Sequence, residues 1–488
     1  MEKKVRVRYA PSPTGYLHIG GARSALFNYL FAKKYNGDFV FRIEDTDIER
    51  NIPGAEESQL HDLIWLGIIP DESTEKPNPK YAPYRQTEKL DLYKKYADEL
   101  VKKGYAYLCY ETSDEIEAMK EEQLSNGVKA FKYDRRALSY TPEDIARFKA
   151  EGREPSIRLK MEKDGDFSFN DLVRGEVHFN SNDFGDFVII KSNGIPTYNF
   201  AVVIDDHIME ITHVLRGEEH LSNTPKQLQV YKYFGWEPPK FGHMTIITNP
   251  NGKKLSKRDH DILQFMSEYR KLGYLPEAIF NFLYLLGFNP DIKLDGTDKE
   301  KEIFTKEEAI KAFDPLKLSS SPSMFDNKRL LWTNSQYIKA MNNDDYFAFI
   351  LPFIKEVKFD REYTTDELKI MAIMFKEEIS YGAEVTSLLN DIIHPTFELN
   401  DEDKAMLNLE SSKIVLDKFK EKILKSTDIT QDFVKSMFKE IQMETGIKGK
   451  NLYMPVRLTL TGSEHGLEMF NIISILGKDE VLNRLNNK

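Results

Sequence analysis

Residues 11 to 21 run Pro-Ser-Pro-Thr-Gly-Tyr-Leu-His-Ile-Gly-Gly, and this stretch limits the fold more than any other. Ahead of it, Lys4-Val5-Arg6-Val7-Arg8-Tyr9-Ala10 alternates basic and apolar side chains, the period of a half-buried strand. Behind it, Ala22, Leu26, Tyr29 and Leu30 recur at helical spacing, and Gly37 sits where a C′ glycine would close the helix. A strand passing through a glycine-rich turn into a helix brings the helix's first N–H groups over the strand end. That predicts an anion site suited to phosphate, with His18 projecting from the first turn as a further donor. The same turn also reads as an ordinary strand-to-helix connection with a solvated histidine. Alone it does not decide.

A second stretch changes the balance. Asn251-Gly252-Lys253-Lys254-Leu255-Ser256-Lys257-Arg258 gathers four cations around one serine, whereas most short basic runs are solvated turns. Taken together, His18-Ile19-Gly20-Gly21 and Lys254-Leu255-Ser256-Lys257-Arg258 resemble the paired signatures of class I aminoacyl-tRNA synthetases. Three further blocks narrow the resemblance to the bacterial glutamyl-tRNA synthetases: Arg8-Tyr9-Ala10-Pro11-Ser12-Pro13-Thr14-Gly15, Arg42-Ile43-Glu44-Asp45-Thr46-Asp47 and Leu215-Arg216-Gly217-Glu218-Glu219-His220. The likeness runs from residue 4 to the end, dense to about Trp332 and thinner beyond.

The resemblance implies a multidomain α/β fold. A Rossmann-like parallel-sheet catalytic domain would occupy 1–88 and 196–248, with an α/β domain that binds the tRNA acceptor end inserted at 89–195. A helical stem-contact domain carrying the lysine loop would follow at 249–332, then an all-helical anticodon-binding region in two subdomains at 333–488. Bulk properties agree with several domains, since 488 residues exceed one core. With 41% hydrophobic and 30% charged residues, disorder is excluded. A net charge of −11 argues mildly against a nucleic-acid partner, but a local basic track overrides a global sum. One cysteine, Cys109, excludes an internal disulfide. Met1-Glu2-Lys3-Lys4 leads straight into the first strand, so no signal peptide is expected. The longest apolar run, Ala278 to Phe288, is far short of the ~20 residues that span a bilayer. A cytoplasmic location and no membrane partner are expected.

Along the chain, Phe39 to Glu44 reads as the second strand, delivering Glu44 to the sheet edge where such folds bind ligands. Asp45 to Glu56 has the length of a calcium loop but carries Arg50 where the sharp turn demands glycine, so that reading is rejected. Ser156 to Lys160 and Asp186 to Lys191 alternate like strands. Phe200 to Ile204 is a buried run, and Asp205-Asp206 after it is assigned to a strand-end turn rather than to metal binding. Ile211 to Leu215 and His243 to Ile247 read as further strands, the first delivering Arg216. Beyond Asp259 the pattern is helical, with capping boxes at Thr305–Glu308 and Thr364–Glu367 and a surface loop from Asn289 to Glu302.

Making an acyl-adenylate needs positioning and fixed positive charge around a pentavalent phosphorus. The resemblance assigns catalysis to His18, Thr14, Lys254, Ser256 and Lys257. It assigns ATP binding to Pro11, Ser12, Gly15, His18, Gly20, Gly21, Lys254, Lys257 and Arg258. Glutamate would be held by Arg8, Ala10, Ser12, Glu44, Tyr198 and Arg216, because guanidinium forks read carboxylate shape and Glu44 accepts the ammonium. Which arginine takes the side-chain carboxylate stays open, and the competing reading pairs Arg8 with Glu44 across adjacent strands. ATP would arrive with Mg2+, no protein side chain serving as metal ligand. Some family members carry a cysteine-rich zinc site in the insertion; here Cys109 is followed two residues later by Glu111, and no zinc is expected. The implied partners are ATP, L-glutamate and tRNA-Glu, with tRNA-Gln an open second substrate and a monomer the expected state. The alternatives are a short base-modifying paralogue, a cytidylyl-type nucleotidyltransferase and a non-catalytic RNA-binding relative. The first two lack a helical tail of this length, and the third needs no intact His18 and lysine set.

Overall fold

Arg6–Tyr9 forms β1, which pairs in parallel with β2 (Asp38–Phe41), Arg8 lying opposite Val40. The connection is α1 (Ile19–Lys34), whose Ala22, Ala25, Leu26, Phe27 and Leu30 are buried. The computed structural model describes residues 3–128, 130–255, 262–427 and 429–486. It divides into two units, Met1–Arg270 with Pro276–Arg329, and Lys271–Leu275 with Leu330–Lys488.

The end of α1 departs from expectation. Asn36, with φ of 52°, takes the left-handed position, its N–H meeting the Lys33 carbonyl at 3.3 Å while Gly37 N–H meets that of Ala32 at 2.7 Å. This is the double bond of a Schellman cap, with asparagine in the place usually held by glycine. Gly37 is glycine because a Cβ there would lie 2.3 Å from the Val5 carbonyl oxygen at the start of β1.

On the far side of β1, Thr212 N–H bonds the Arg6 carbonyl at 2.9 Å, just ahead of a further strand at His213–Gly217. In the segment between, α2 (Ala55–Trp65) and α3 (Leu90–Lys102) precede β3 (Ala106–Cys109), α4 (Ser113–Ser125) and α5 (Pro142–Ala150). Then come β4 (Ser156–Leu159), β5 (Asp166–Asp171), β6 (Gly175–Asn180) and β7 (Phe187–Ile190). Strands β3, β4 and β7 make an antiparallel sheet, and β5 and β6 a hairpin. Next, α6 (Tyr198–Ile208) leads to β8 (His213–Gly217), which pairs in parallel with β9 (Lys240–Met244) across α7 (Thr224–Phe234).

The run Phe200 to Ile204 is therefore helix, not strand. All five residues are at most 1% exposed, packed with Tyr93, Ala97 and Leu100 of α3 and Ile157, Leu159 and Ile189 of the antiparallel sheet. A short run buried all round carries no periodicity to separate the two forms. This cluster crosses the expected boundary between 89–195 and 196–248. The strand expected at His243 to Ile247 is also redrawn, divided between β9 and β10 (Ile247–Thr248), which pairs with β11 (Ser323–Met324). Of the later helices, α8 (Met266–Lys271) and α9 (Pro276–Leu285) follow the lysine loop, and α10 (Lys306–Ala312) starts at the Thr305 capping box.

From Asn327 to Asn486 the described residues form nine helices and no strand. Met371, Phe375 and Ile379 are buried, as are Val434, Met437, Phe438 and Ile441 before the left-handed Gly446. Among the described residues no helix is long and apolar enough to cross a membrane.

Candidate active site

The turn after β1 is fastened from outside. Its carbonyls accept from Glu44 N–H at Pro11 (2.9 Å), from Ile52 N–H at Pro13 (2.8 Å) and from Gln59 Nε2 at Gly15 (2.6 Å). The proline-stiffened turn is thus held by β2's continuation and by α2, and Gln59 is 3% exposed.

His18 is the N-cap of α1. Its Nδ1 accepts the backbone N–H groups of Gly20 (3.1 Å) and Gly21 (3.2 Å), which places the ring proton on Nε2. Ile19 N–H bonds the Gln264 carbonyl at 3.1 Å. The first three N–H groups of the helix are therefore taken, contrary to the expectation that they meet a phosphate. What faces the cleft is an exposed imidazole edge, with the helix dipole behind it. The glycines answer to packing: a Cβ at Gly21 would lie 2.5 Å from the Tyr9 hydroxyl, and one at Gly20 would lie 3.1 Å from the His18 ring.

The lysine stretch begins as a tight turn. Leu255 N–H bonds the Ile247 carbonyl (3.0 Å), Asn249 N–H that of Lys253 (2.8 Å), and Gly252 takes φ of 74°. Ser256, Lys257 and Arg258 lie outside the described residues. On the far side Phe265 bridges antiparallel to His18, and Met266 N–H bonds the Leu17 carbonyl at 2.9 Å. Lys254, Leu255, Gln264 and Phe265 share with His18, Thr14 and Gly15 a cleft of about 820 Å³. Two stretches more than 200 residues apart are thus side by side, and Arg8, Ala10, Pro11, Ser12, Gly20, Gly21, Glu44, Tyr198 and Arg216 line the same cleft.

Below the cleft floor lies a network of buried charges. Arg8 pairs with Asp206 of α6 at 3.2 Å, not with Glu44. Arg42, fully buried, reaches Asp206 (2.8 Å), Glu44 (2.9 Å) and Asp205 (3.5 Å). Asp205 also receives Lys89 (2.5 Å), Tyr93 (2.8 Å) and Gln86 (2.9 Å). Asp205 and Asp206 are thus helical counter-ions rather than a strand-end turn. Burial opposes the charge of Asp206, yet Arg8 and Arg42 hold its carboxyl below the usual range; burial pushes Glu44 up against the same two arginines. Three cations, Arg8, Arg42 and Lys89, face three anions, Glu44, Asp205 and Asp206. That set balances.

Arg216 falls outside it. Its guanidinium is 6% exposed and among the described residues hydrogen-bonds only neutral groups: His243 Nε2 (3.0 Å), Gln227 Oε1 (2.9 Å), Thr224 Oγ1 (2.8 Å) and the Tyr198 hydroxyl (3.5 Å). Burial, helped by the Arg8 charge and opposed by Tyr198 and Asp206, draws its pKa down. A buried cation in this state can be completed by an anion from outside. With the Glu44 carboxyl in the same cleft, the arrangement can take an amino acid bearing an extra carboxylate.

The family model described as tRNA synthetases class I (E and Q), catalytic domain, matches residues 4–332, and an anticodon binding domain model matches 345–488. The chain belongs to the class I tRNA synthetases of the E and Q type. It is 52% identical to the glutamate–tRNA ligase of Geobacillus thermodenitrificans and 50% identical to that of Geobacillus stearothermophilus, covering 98% of each while they cover 99% of it. Among solved structures, a glutamate tRNA ligase from Elizabethkingia meningosepticum in complex with its amino acid is 34% identical, with a TM-score of 0.87 and 99% of each chain covered.

In this synthetase the lone thiol sits in a closed hydrogen-bond cluster. Cys109 Sγ donates to Glu111 (2.7 Å) and accepts from Arg158 (3.3 Å), and the Tyr133 hydroxyl donates to Glu111 (2.5 Å). Burial pushes the thiol up, so these residues do not suit a metal that needs thiolate. Sequence reading missed Tyr9, Gln59, Asp171, Thr224, Gln227 and His243. Each acts on another protein group across 8 to 72 residues, a relation with no local signature. Asp205-Asp206 gave a signal as a pair, but nothing local tied it to Arg8, Arg42 and Lys89.

Proposed function

We propose that the chain is a glutamate–tRNA ligase that activates glutamate with ATP and esterifies the 3′-terminal adenosine of tRNA-Glu. The observation that carries this reading is Arg216, a buried guanidinium without a carboxylate, in one cleft with His18, Lys254 and Glu44.

Glutamate's α-carboxylate attacks the α-phosphorus of ATP in line; pyrophosphate leaves and glutamyl-adenylate remains. A hydroxyl of the terminal adenosine then attacks the acyl carbon, and AMP departs. Neither step asks the protein for covalent work. Arg8 and Arg216 hold the two carboxylates, Glu44 accepts the ammonium with Ala10 and Ser12, and Tyr198 orients Arg216. His18 Nε2–H and Lys254 meet the phosphates, and Lys257, Ser256 and Arg258 join them from the lysine loop; Thr14 adds a donor. Pro11, Gly15, Gly20 and Gly21 shape the nucleotide side. Mg2+ arrives on the triphosphate. Glutamine leaves one desolvated guanidinium unpaired, a mismatch that costs up to ~10⁴-fold in sites built for a polar partner. Residues 89–195 take the acceptor end, 249–332 the stem and 333–488 the anticodon, in a cytoplasmic monomer.

The test is isotope exchange between pyrophosphate and ATP with tRNA present. Glutamate supports exchange and glutamine does not, and Arg8→Leu or Arg216→Leu abolishes it. Persistent exchange in both variants disproves the assignment of the arginines; exchange supported equally by glutamine disproves the substrate.

A further inference from the structure

With no carboxylate among the described residues to anchor it, the Arg216 fork is aimed by neutral groups. Behind it stands His243 of β9, fully buried. Its Nδ1 lies 2.6 Å from Asp171 Oδ2, and its Nε2 lies 3.0 Å from Arg216 Nε and 3.1 Å from Thr224 Oγ1. Asp171 closes β5, where its Oδ1 also accepts backbone N–H groups from Val173 (2.9 Å), Arg174 (3.0 Å) and His243 (3.1 Å). Burial opposes the Asp171 charge, yet the His243 ring and these backbone N–H groups hold its carboxyl below the usual carboxylate range. An ionised carboxylate accepts only, so Nδ1 carries the imidazole hydrogen and Nε2 presents its lone pair to Arg216.

We infer that Asp171 and His243 are positioning residues that fix one imidazole tautomer and thereby hold the Arg216 guanidinium in the orientation that receives a substrate carboxylate. The inference rests on the ligase reading given above. It makes the amino-acid site depend on the β5–β6 hairpin, a part of the insertion distant in sequence from β8.

Asp171→Asn is the informative change, because it is isosteric and the turn dictates its orientation. Two N–H groups of the turn claim Oδ1, so the amide oxygen stays there and the amide nitrogen faces His243 Nδ1 as a donor. The ring proton then moves to Nε2, against Arg216 Nε–H. In tRNA-dependent pyrophosphate exchange, D171N raises the KM for glutamate by ~10–100-fold, the usual effect of losing an orienting partner behind a binding group. The KM for ATP stays within about twofold on the same reasoning, since the nucleotide does not touch this chain of bonds. Adding His243→Gln, whose amide oxygen accepts from Arg216 in any tautomer, lowers the glutamate KM of D171N again. An unchanged glutamate KM in D171N, or glutamate and ATP KM rising together without rescue by H243Q, overturns the inference. If D171N does not fold, single variants decide: H243Q keeps glutamate KM near wild type while His243→Leu raises it, and equal values for the two overturn the inference. Absence of glutamate-dependent exchange in the wild-type enzyme overturns the ligase reading itself, and this inference with it.

Discussion

His18 does two things with one ring: Nδ1 caps α1, and the opposite edge faces the cleft. The two roles separate by substitution. His18→Ala loses the cap, about 1 kcal/mol, and also the donor, which lowers pyrophosphate exchange by ~10²–10³-fold. His18→Asn keeps an acceptor at the Nδ1 position but does not reach the substrate. It should melt like wild type and remain as inactive as the alanine variant; an active His18→Asn removes Nε2 from the chemistry. At this scale the sequence was legible in which residues gather: Arg8, Glu44, Tyr198, Arg216, His18 and Lys254 line one cleft. What stayed hidden was how they are held. Asp206 and Asp171 differ from other acidic residues only in what surrounds them, and surroundings arise from folding, not from neighbours in the chain.

At the scale of elements, the junction between β1 and α1 is a close-packed joint. Gly21→Ala pushes a methyl group against the Tyr9 hydroxyl and should destabilise the protein by about 1–3 kcal/mol. Tyr9→Phe removes the clashing oxygen, leaving the ring carbon at 3.5 Å, and should restore most of the loss in denaturant titrations. No recovery in the double variant contradicts the packing account. His213, at the start of β8, carries a pH response. Burial, with Lys240 on the paired strand, draws its pKa down to about 4. Between pH 6.5 and 4 the unfolded chain therefore binds the proton that the folded chain refuses, so stability falls as pH is lowered through that window. Allowing for partial exposure, His213→Phe should lessen the loss between pH 7 and 4.5 by about 1–2 kcal/mol. Equal losses in both proteins dismiss the group. Alternating strands and capping boxes were readable because their signals are local. Helix α6 was not, since its run is buried on every side, and neither was Asn36 in the place expected for Gly37.

For the whole molecule, a net charge of −11 has to coexist with a polyanionic partner. Binding of tRNA through local cations releases counterions, so the KM for tRNA should rise steeply between 50 and 200 mM salt, by about 10-fold or more. The KM for glutamate, read by buried groups, should change little over that range. Parallel changes in both contradict the division between surface and buried recognition. The order of catalytic fold and helical tail was legible because paired motifs and capped apolar stripes extend over long stretches. The continuity of the apolar core across the insertion was not, because shared burial leaves no mark at a boundary.

A buried guanidinium in the cleft with no carboxylate among the described residues selects glutamate over glutamine. The direct measurement is acylation of separate tRNA-Glu and tRNA-Gln transcripts with labelled glutamate and labelled glutamine. The account predicts glutamyl-tRNA-Glu and no glutaminyl product on either transcript. Glutaminyl-tRNA as the main product, or no acylation of tRNA-Glu by glutamate, contradicts it.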